Sequence, residues 1–92
     1  MNLIQVLDKF PTEINNEIES IEYDGDATAY KITATFADDE LEGEYQHIEI
    51  ILFDSGESML YVVNTTDDNP LWVWDNVLDF YQKVRTIWKN VV

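Results

Sequence analysis

The chain has 92 residues, 46% of them apolar, and its 19 acidic residues against 5 basic ones give a formal net charge of −14. Such a charge repels phosphates and anionic lipid headgroups, which argues against direct binding to nucleic acid or to an anionic membrane. The absence of cysteine removes disulfides, thiolate catalysis and cysteine-type zinc sites. With no apolar run near the ~20 residues that span a bilayer, we expect a cytoplasmic protein with one compact domain over residues 1–92.

The N-terminal segment has helical periodicity. Asn2 is a candidate N-cap, and it precedes apolar residues at the i, i+3, i+4, i+7 spacing of an amphipathic helix. Pro11 kinks or ends this helix because the residue before a proline avoids the α region, and we expect helical structure, broken or not, to reach about Asn16. A first strand is predicted to begin near Ile18.

Three further segments have the composition of β-strands. Over residues 27–36, apolar side chains alternate with Lys31, Thr33 and Thr35, the period of two that a strand with one buried face requires. Residues 45–53 and 58–63 are two more β-rich runs, joined by a loop whose Gly56 suits the positive φ of a hairpin. Because the connections are short, the sequence predicts an antiparallel meander of three to four strands.

The last segment predicts a long amphipathic helix. Asp68 or Asn69 is its candidate N-cap and Pro70 its first residue. A seam of apolar residues spaced by four and three should pack on one face of the sheet, namely Val73, Val77, Phe80, Val84, Ile87 and Val91. The predicted fold class is therefore α+β, with an N-terminal helix, the antiparallel meander and this C-terminal helix on one face of the sheet.

The C-terminal helix is more apolar than one seam requires. Trp72, Trp74 and Trp88 widen its apolar arc beyond the ~100° that burying one face needs. Either these rings cover the sheet edges and the N-terminal helix, or they form an interface, since tryptophan anchors such surfaces. The second interpretation makes the protein an assembly or adaptor module, most simply a homodimer.

The residue inventory gives little support for an enzyme or a metal site. Residues 38–49 match the spacing of an EF-hand calcium loop, but Glu40 and Glu42 stand where the shorter Asp or Asn is needed, and the flanking segments are predicted strands. His47 is the sole histidine, and we expect a half-exposed strand residue that packs or donates a hydrogen bond. We therefore predict no enzymatic activity, no metal and no cofactor, with a cation site in residues 38–49 kept as a minor alternative.

The acidic residues are the strongest functional signal. Residues 32–82 contain twelve acids and neither Lys nor Arg. Alternate connections of a meander lie at the same end of the sheet, so a first acidic pole should gather Asp24, Asp26, Asp54 and Glu57. The denser second acidic pole, at the other end, is the predicted partner-binding surface: Asp38, Asp39, Glu40, Glu42, Glu44, Asp67 and Asp68.

A dense negative surface without catalytic parts favours a binding protein. Carboxylates can occupy the Lys/Arg groove of a nucleic-acid-binding protein in place of phosphates. The sequence therefore predicts an inhibitor or nucleic-acid mimic, such as the anti-restriction and anti-CRISPR proteins of phages and mobile elements, or an immunity-type partner of a basic toxin. The alternatives are the assembly module and an acidity that only keeps the protein dispersed.

Overall fold

The part of the chain that the structure describes contains three helices and one four-stranded sheet. A computed structural model of the chain describes residues 2–25, 27–37, 45–63 and 71–92. The elements in chain order are α1 (Leu3–Leu7), α2 (Thr12–Asn15), β1 (Ile18–Tyr23), β2 (Ala27–Ala37), β3 (Tyr45–Phe53), β4 (Ser58–Val63) and α3 (Leu71–Val91). The strands are antiparallel to their neighbours in the order β1-β2-β3-β4, and α3 packs on the sheet. This confirms the predicted α+β class. None of the helices in these ranges is long and apolar enough to cross a membrane.

Pro11 divides the N-terminal helical segment into two helices. A capping box opens α1, because the Asn2 side chain accepts a hydrogen bond from the Gln5 amide while the Gln5 side chain accepts one from the Asn2 amide, both at 3.0 Å. The Pro11 carbonyl oxygen then accepts the first hydrogen bonds of α2, from the amides of Ile14 and Asn15. The second helix ends at Asn15 with Asn16 as its C-cap, which agrees with the predicted end at about Asn16, but the segment forms two short helices.

The strand register assigns alternate residues to the two faces of the sheet. On the inner face, Ile32 of β2 lies opposite Ile50 of β3, and both side chains are buried in the core beneath α3. On the outer face, Thr33 lies opposite Glu49 and Thr35 opposite His47. The inner face thus holds the core, and the outer face over this part of the sheet is polar.

Trp88 belongs to the core and not to an exposed patch. Val73, Val77 and Val84 of α3 are buried as the seam predicts, and Phe80, Ile87 and Val91 are partly buried against the same core. The Trp88 side chain is 0% exposed, and its ring lies edge-on to Tyr30 with centroids 5.8 Å apart. The helix therefore buries a wider arc than the predicted seam, because a sheet presents a broad surface to a helix packed on it.

The two hairpin turns lie at the same end of the sheet. Asp24 and Gly25 connect β1 to β2 with positive φ angles of 51° and 80°. Gly56, with φ of 91°, lies in the turn between β3 and β4. Asp24, Asp54 and Glu57 are exposed in these turns, so the described part of the first acidic pole is where the meander places it.

Candidate functional site

The candidate site lies where β2 extends beyond β1. The pairing of β1 with β2 ends at Ile18 and Ile32, whereas the pairing of β2 with β3 continues to Ala37 and Tyr45. Residues 33–37, here called the β2 arm, therefore have a β-strand on one side only within the described chain. On the β1 side, the last backbone hydrogen bond of β2 among the described residues runs from the Thr33 amide to the Glu17 carbonyl oxygen, at 3.3 Å.

A groove lies beside the β2 arm, in the position that a longer β1 would fill. Its volume is about 540 Å³. Glu13, Ile14 and Glu17 line it from α2 and the residues that follow α2, and the β2 arm forms the opposite wall. Glu49 of β3 and Phe80 of α3 also contribute. The groove is thus lined by side chains from both faces of the sheet at the edge of β2.

The outer-face side of the groove is polar. Thr35 Oγ1 lies 2.7 Å from His47 Nδ1, and Thr33 Oγ1 donates a hydrogen bond to Glu17 Oε2 at 3.3 Å. Thr35 and His47 are directly opposed strand residues in a pair that shares no backbone hydrogen bonds, where side chains lie close together. Glu17, just before β1, is held beside Thr33 by the backbone hydrogen bond as well. His47 is half-exposed on β3, as predicted.

The groove is acidic as well as polar. Glu13 and Glu17 are exposed, Glu49 is half-buried, and the described residues that line the groove include neither Lys nor Arg. Lys31 lies two residues before Thr33 on the outer face, and its Nζ is 2.7 Å from Glu19 Oε1. The hydrogen bond that Lys31 donates to Glu19 raises the pKa of Lys31 above its ordinary value, and the charges of Glu19 and Glu49 add to the rise. Lys31 thus forms an ion pair with Glu19, and the groove keeps a net negative charge.

The inner-face side of the groove is apolar. Ile14 is buried, while Phe36 of the β2 arm packs edge-on against Phe80 of α3 with ring centroids 5.6 Å apart. Phe36 and Phe80 are both partly exposed, so their rings form part of the groove wall. One groove therefore offers carboxylates on one side and apolar rings on the other.

His47 is paired with a threonine hydroxyl on a regular strand, and that pair by itself makes no nucleophilic centre, which also needs an oriented base and stabilising donors around a reacting atom. Within the described ranges, no group of three or more His, Asp or Glu residues is close enough to hold a metal ion. The predicted cation site in residues 38–49 lies mostly outside those ranges.

The second acidic pole lies outside the described residues. This applies to every one of its members, and the surface stays a prediction: Asp38, Asp39, Glu40, Glu42, Glu44, Asp67 and Asp68. Of the first acidic pole, Asp26 is also outside the described part of the chain.

The predicted tryptophan interface loses one of its three members. Trp88 is buried and donates its indole N–H to the Phe53 carbonyl oxygen at 2.7 Å, so it offers no surface to a partner. Trp74 is half-buried on α3, and the side chain of Trp72 lies outside what the structure describes. Among the α3 residues whose side chains the structure describes, the most exposed large apolar one is Leu78, at 56%.

The groove was not predicted from the sequence. Its acids come from α2, from the residue before β1 and from β3, and no local pattern joins Glu13 and Glu17 to Glu49. The available signal was the difference in strand length, since β1 has 6 residues and β2 has 11. A strand that outlasts its neighbour leaves part of its edge unpaired.

Comparison with family models, with curated proteins and with solved structures finds no match to this chain. Its function is therefore inferred from its own residues.

Proposed function

We propose that this protein is a small, non-enzymatic binding protein that docks a negative surface on a basic, nucleic-acid-binding protein. The observation that carries the proposal is the exposure of its carboxylates. Every described acid except Glu49 is exposed, and within the described ranges the ion pair of Lys31 with Glu19 is the only one. The negative charge is thus directed to solvent and is not consumed in holding the fold together.

Three of the five basic residues are separated from most of this charge. Lys83, Arg85 and Lys89 lie in the second half of α3 and are exposed, on the helix that covers the inner face. The groove, the outer face beside it and the turns of the first acidic pole carry the carboxylates. A basic partner is therefore attracted to the sheet and its connections, where the negative potential speeds and orients the encounter.

Exposed carboxylates can replace the phosphates that a nucleic-acid-binding protein normally contacts. A protein of this kind acts as an inhibitor or nucleic-acid mimic, in the manner of phage or mobile-element anti-restriction and anti-CRISPR proteins, or as an immunity-type partner of a basic toxin. The burial of Trp88 leaves the alternative, an assembly module built on α3, with less surface than its sequence predicts.

Affinity capture from a nuclease-treated bacterial lysate at low and moderate salt tests this function. The test variant carries Asp38→Asn, Asp39→Asn, Glu40→Gln, Glu42→Gln and Glu44→Gln. The control removes the same number of charges elsewhere: Asp24→Asn, Asp54→Asn, Glu57→Gln, Asp75→Asn and Asp79→Asn. We expect wild type and control to retain one basic protein at moderate salt and the test variant to lose it.

The captured protein is then purified and given a DNA or RNA duplex that it binds. A nucleic-acid mimic must displace the duplex in proportion to its own occupancy, because both ligands use the same Lys/Arg surface. If all three versions retained only ribosomal proteins that wash off at moderate salt, the acids would serve solubility alone and the proposal would be wrong.

A further inference from the structure

We propose that the groove beside the β2 arm binds an extended segment of the partner as an added β-strand, with basic residues at alternate positions of that segment. The inference rests on the proposed function, since the segment belongs to the basic partner. This chain then recognises the partner through one extended segment, which pairs with the backbone of the β2 arm.

The first support is the direction of the backbone groups on the β2 arm. The Thr33 amide points towards the β1 side, where it donates to Glu17. The amide and carbonyl of a strand residue point to the same side, and alternate residues share that side, so those of Thr35 also face the groove. No hydrogen bond reaches the Thr35 amide from that side among the described residues. An extended segment in the groove can pair with it.

The second support is the size of this edge. Residues 33–37 continue β2 beyond its last pair with β1. At ~3.4 Å per residue, the β2 arm spans about 17 Å, which is room for an added strand of about five residues. The groove of about 540 Å³ occupies the space beside it.

The third support is the difference between the two sides of the groove. A strand added here sends alternate side chains to the outer and inner faces. The outer-face side chains meet Glu17 and Glu49, whereas the inner-face side chains meet Ile14, Phe36 and Phe80. The complementary segment therefore alternates basic and apolar residues. Charge complementarity also excludes an acidic segment, because carboxylates line the groove without a described Lys or Arg among them.

Two synthetic peptides of eight residues test the alternation. Both contain equal numbers of Lys and Val and carry the same charge; one alternates them, and the other places all Lys before all Val. Fluorescence anisotropy at low micromolar peptide should show about tenfold tighter binding of the alternating peptide, because only that order satisfies the groove and forms net hydrogen bonds of about 1 kcal/mol each.

N-methylation tests the backbone pairing on the unaltered protein. In a strand added antiparallel to β2, as a longer β1 would be, the residues opposite Thr35 have outer-face side chains, so the Lys amides of the alternating peptide face the β2 arm. Methyl groups on the Lys amides should abolish the tighter binding. Methyl groups on the Val amides lie on the far edge and should leave it intact, which makes the two peptides matched controls.

A pair of variants at one position gives an independent test. Thr35→Pro removes the amide that faces the groove, and no ladder bond to β3 is lost with it. Thr35→Val keeps the amide and removes the hydroxyl that contacts His47. We expect the proline variant to lose the preference for the alternating peptide over the block peptide, and the valine variant, which still presents the amide, to retain that preference. Thermal unfolding of both variants establishes that they are folded.

The outcomes separate this inference from the proposed function. Equal, salt-sensitive binding of the alternating and block peptides, or equal loss from the two methylated peptides, would overturn strand addition and leave a charge-only interaction. Strand addition would also be overturned if a captured partner bound Thr35→Pro as tightly as wild type but did not bind the variant of the second acidic pole. If no basic protein or peptide bound, both proposals would fall.

Discussion

Trp88 and Phe53 connect α3 to the sheet through a hydrogen bond of 2.7 Å from the indole Nε1 to the carbonyl oxygen. The same oxygen accepts a second hydrogen bond, from the Gly56 amide at 2.9 Å. Both lone pairs of a partly buried carbonyl at the end of β3 are thus used, one by the turn and one by the helix. The contact fixes the second half of α3 at one position along the sheet, which apolar packing alone does not do.

Replacing Trp88 by phenylalanine should lower the free energy of unfolding by about 2–4 kcal/mol. The change leaves a void in the core and removes one hydrogen bond, although the Phe53 oxygen keeps the bond from Gly56. Urea unfolding followed by circular dichroism measures the loss. Trp74→Phe is the control: its side chain is half-buried, and we expect a loss below about 1 kcal/mol. Equal losses would contradict the burial of Trp88.

The strands could be predicted from the sequence because their signals are local. β3 and β4 have the predicted bounds, since each is a run of β-favouring residues and the turn between them contains a glycine. The role of Trp88 could not be predicted in the same way. Ile87 and Trp88 are adjacent in sequence, and the spacing of the predicted seam includes only Ile87. In the structure, Trp88 is part of the core and Ile87 packs against it.

The groove depends on a relation between distant residues. It exists because β1 begins at Ile18, directly after α2, while β2 continues to Ala37. The charge of the chain indicated an acidic binding surface, but a count of acids does not say which of them share a strand edge. Glu17 and Glu49 come together only through the register of β2 with β3 and the hydrogen bonds of Thr33.

Ionisation of Tyr30 should weaken the fold at alkaline pH. Burial raises the pKa of Tyr30 above its ordinary value of 10.0, and the charge of Asp54 adds to the rise. The folded state holds this proton more tightly than the unfolded state, so the stability is fully present below the unfolded pKa and is lost as pH rises through the folded pKa.

Urea unfolding of wild type and Tyr30→Phe at about pH 9 and about pH 11 measures that dependence. The variant lacks the phenol, and its free energy of unfolding should fall less between the two pH values, whatever the substitution costs at neutral pH. If both proteins fell equally, Tyr30 would not be the group that couples folding to alkaline pH.

Added salt should raise the melting temperature. The exposed acids repel one another, and the screening length falls from ~30 Å at 0.01 M to ~10 Å at 0.1 M ionic strength. A variant with Asp24→Asn, Asp54→Asn and Glu57→Gln carries fewer of these charges, so its melting temperature should rise less over the same range of sodium chloride. Scanning calorimetry measures both increments. An equal or larger increment in the variant would contradict repulsion within the first acidic pole.

Substitutions of two turn glycines should differ because of the chain's last residue. Gly56 has φ of 91°, and a Cβ atom built on it lies 3.0 Å from Val92 Cγ2. Gly25 has φ of 80°, with no atom within 4 Å of such a Cβ. Gly25→Ala therefore measures the backbone strain alone, about 1 kcal/mol. Gly56→Ala adds the contact with Val92 and should cost more.

The double variant Gly56→Ala with Val92→Ala identifies the source of that excess. In the Val92→Ala background, which lacks the Cγ atoms, Gly56→Ala should lower the free energy of unfolding by about as much as Gly25→Ala does in wild type. Urea unfolding measures each loss relative to its own parent protein. Val92 lies just past the end of α3, so the outcome also measures how firmly the helix terminus is held against the β3–β4 turn. If Gly56→Ala cost no more than Gly25→Ala with Val92 intact, the helix end would yield to the added methyl group.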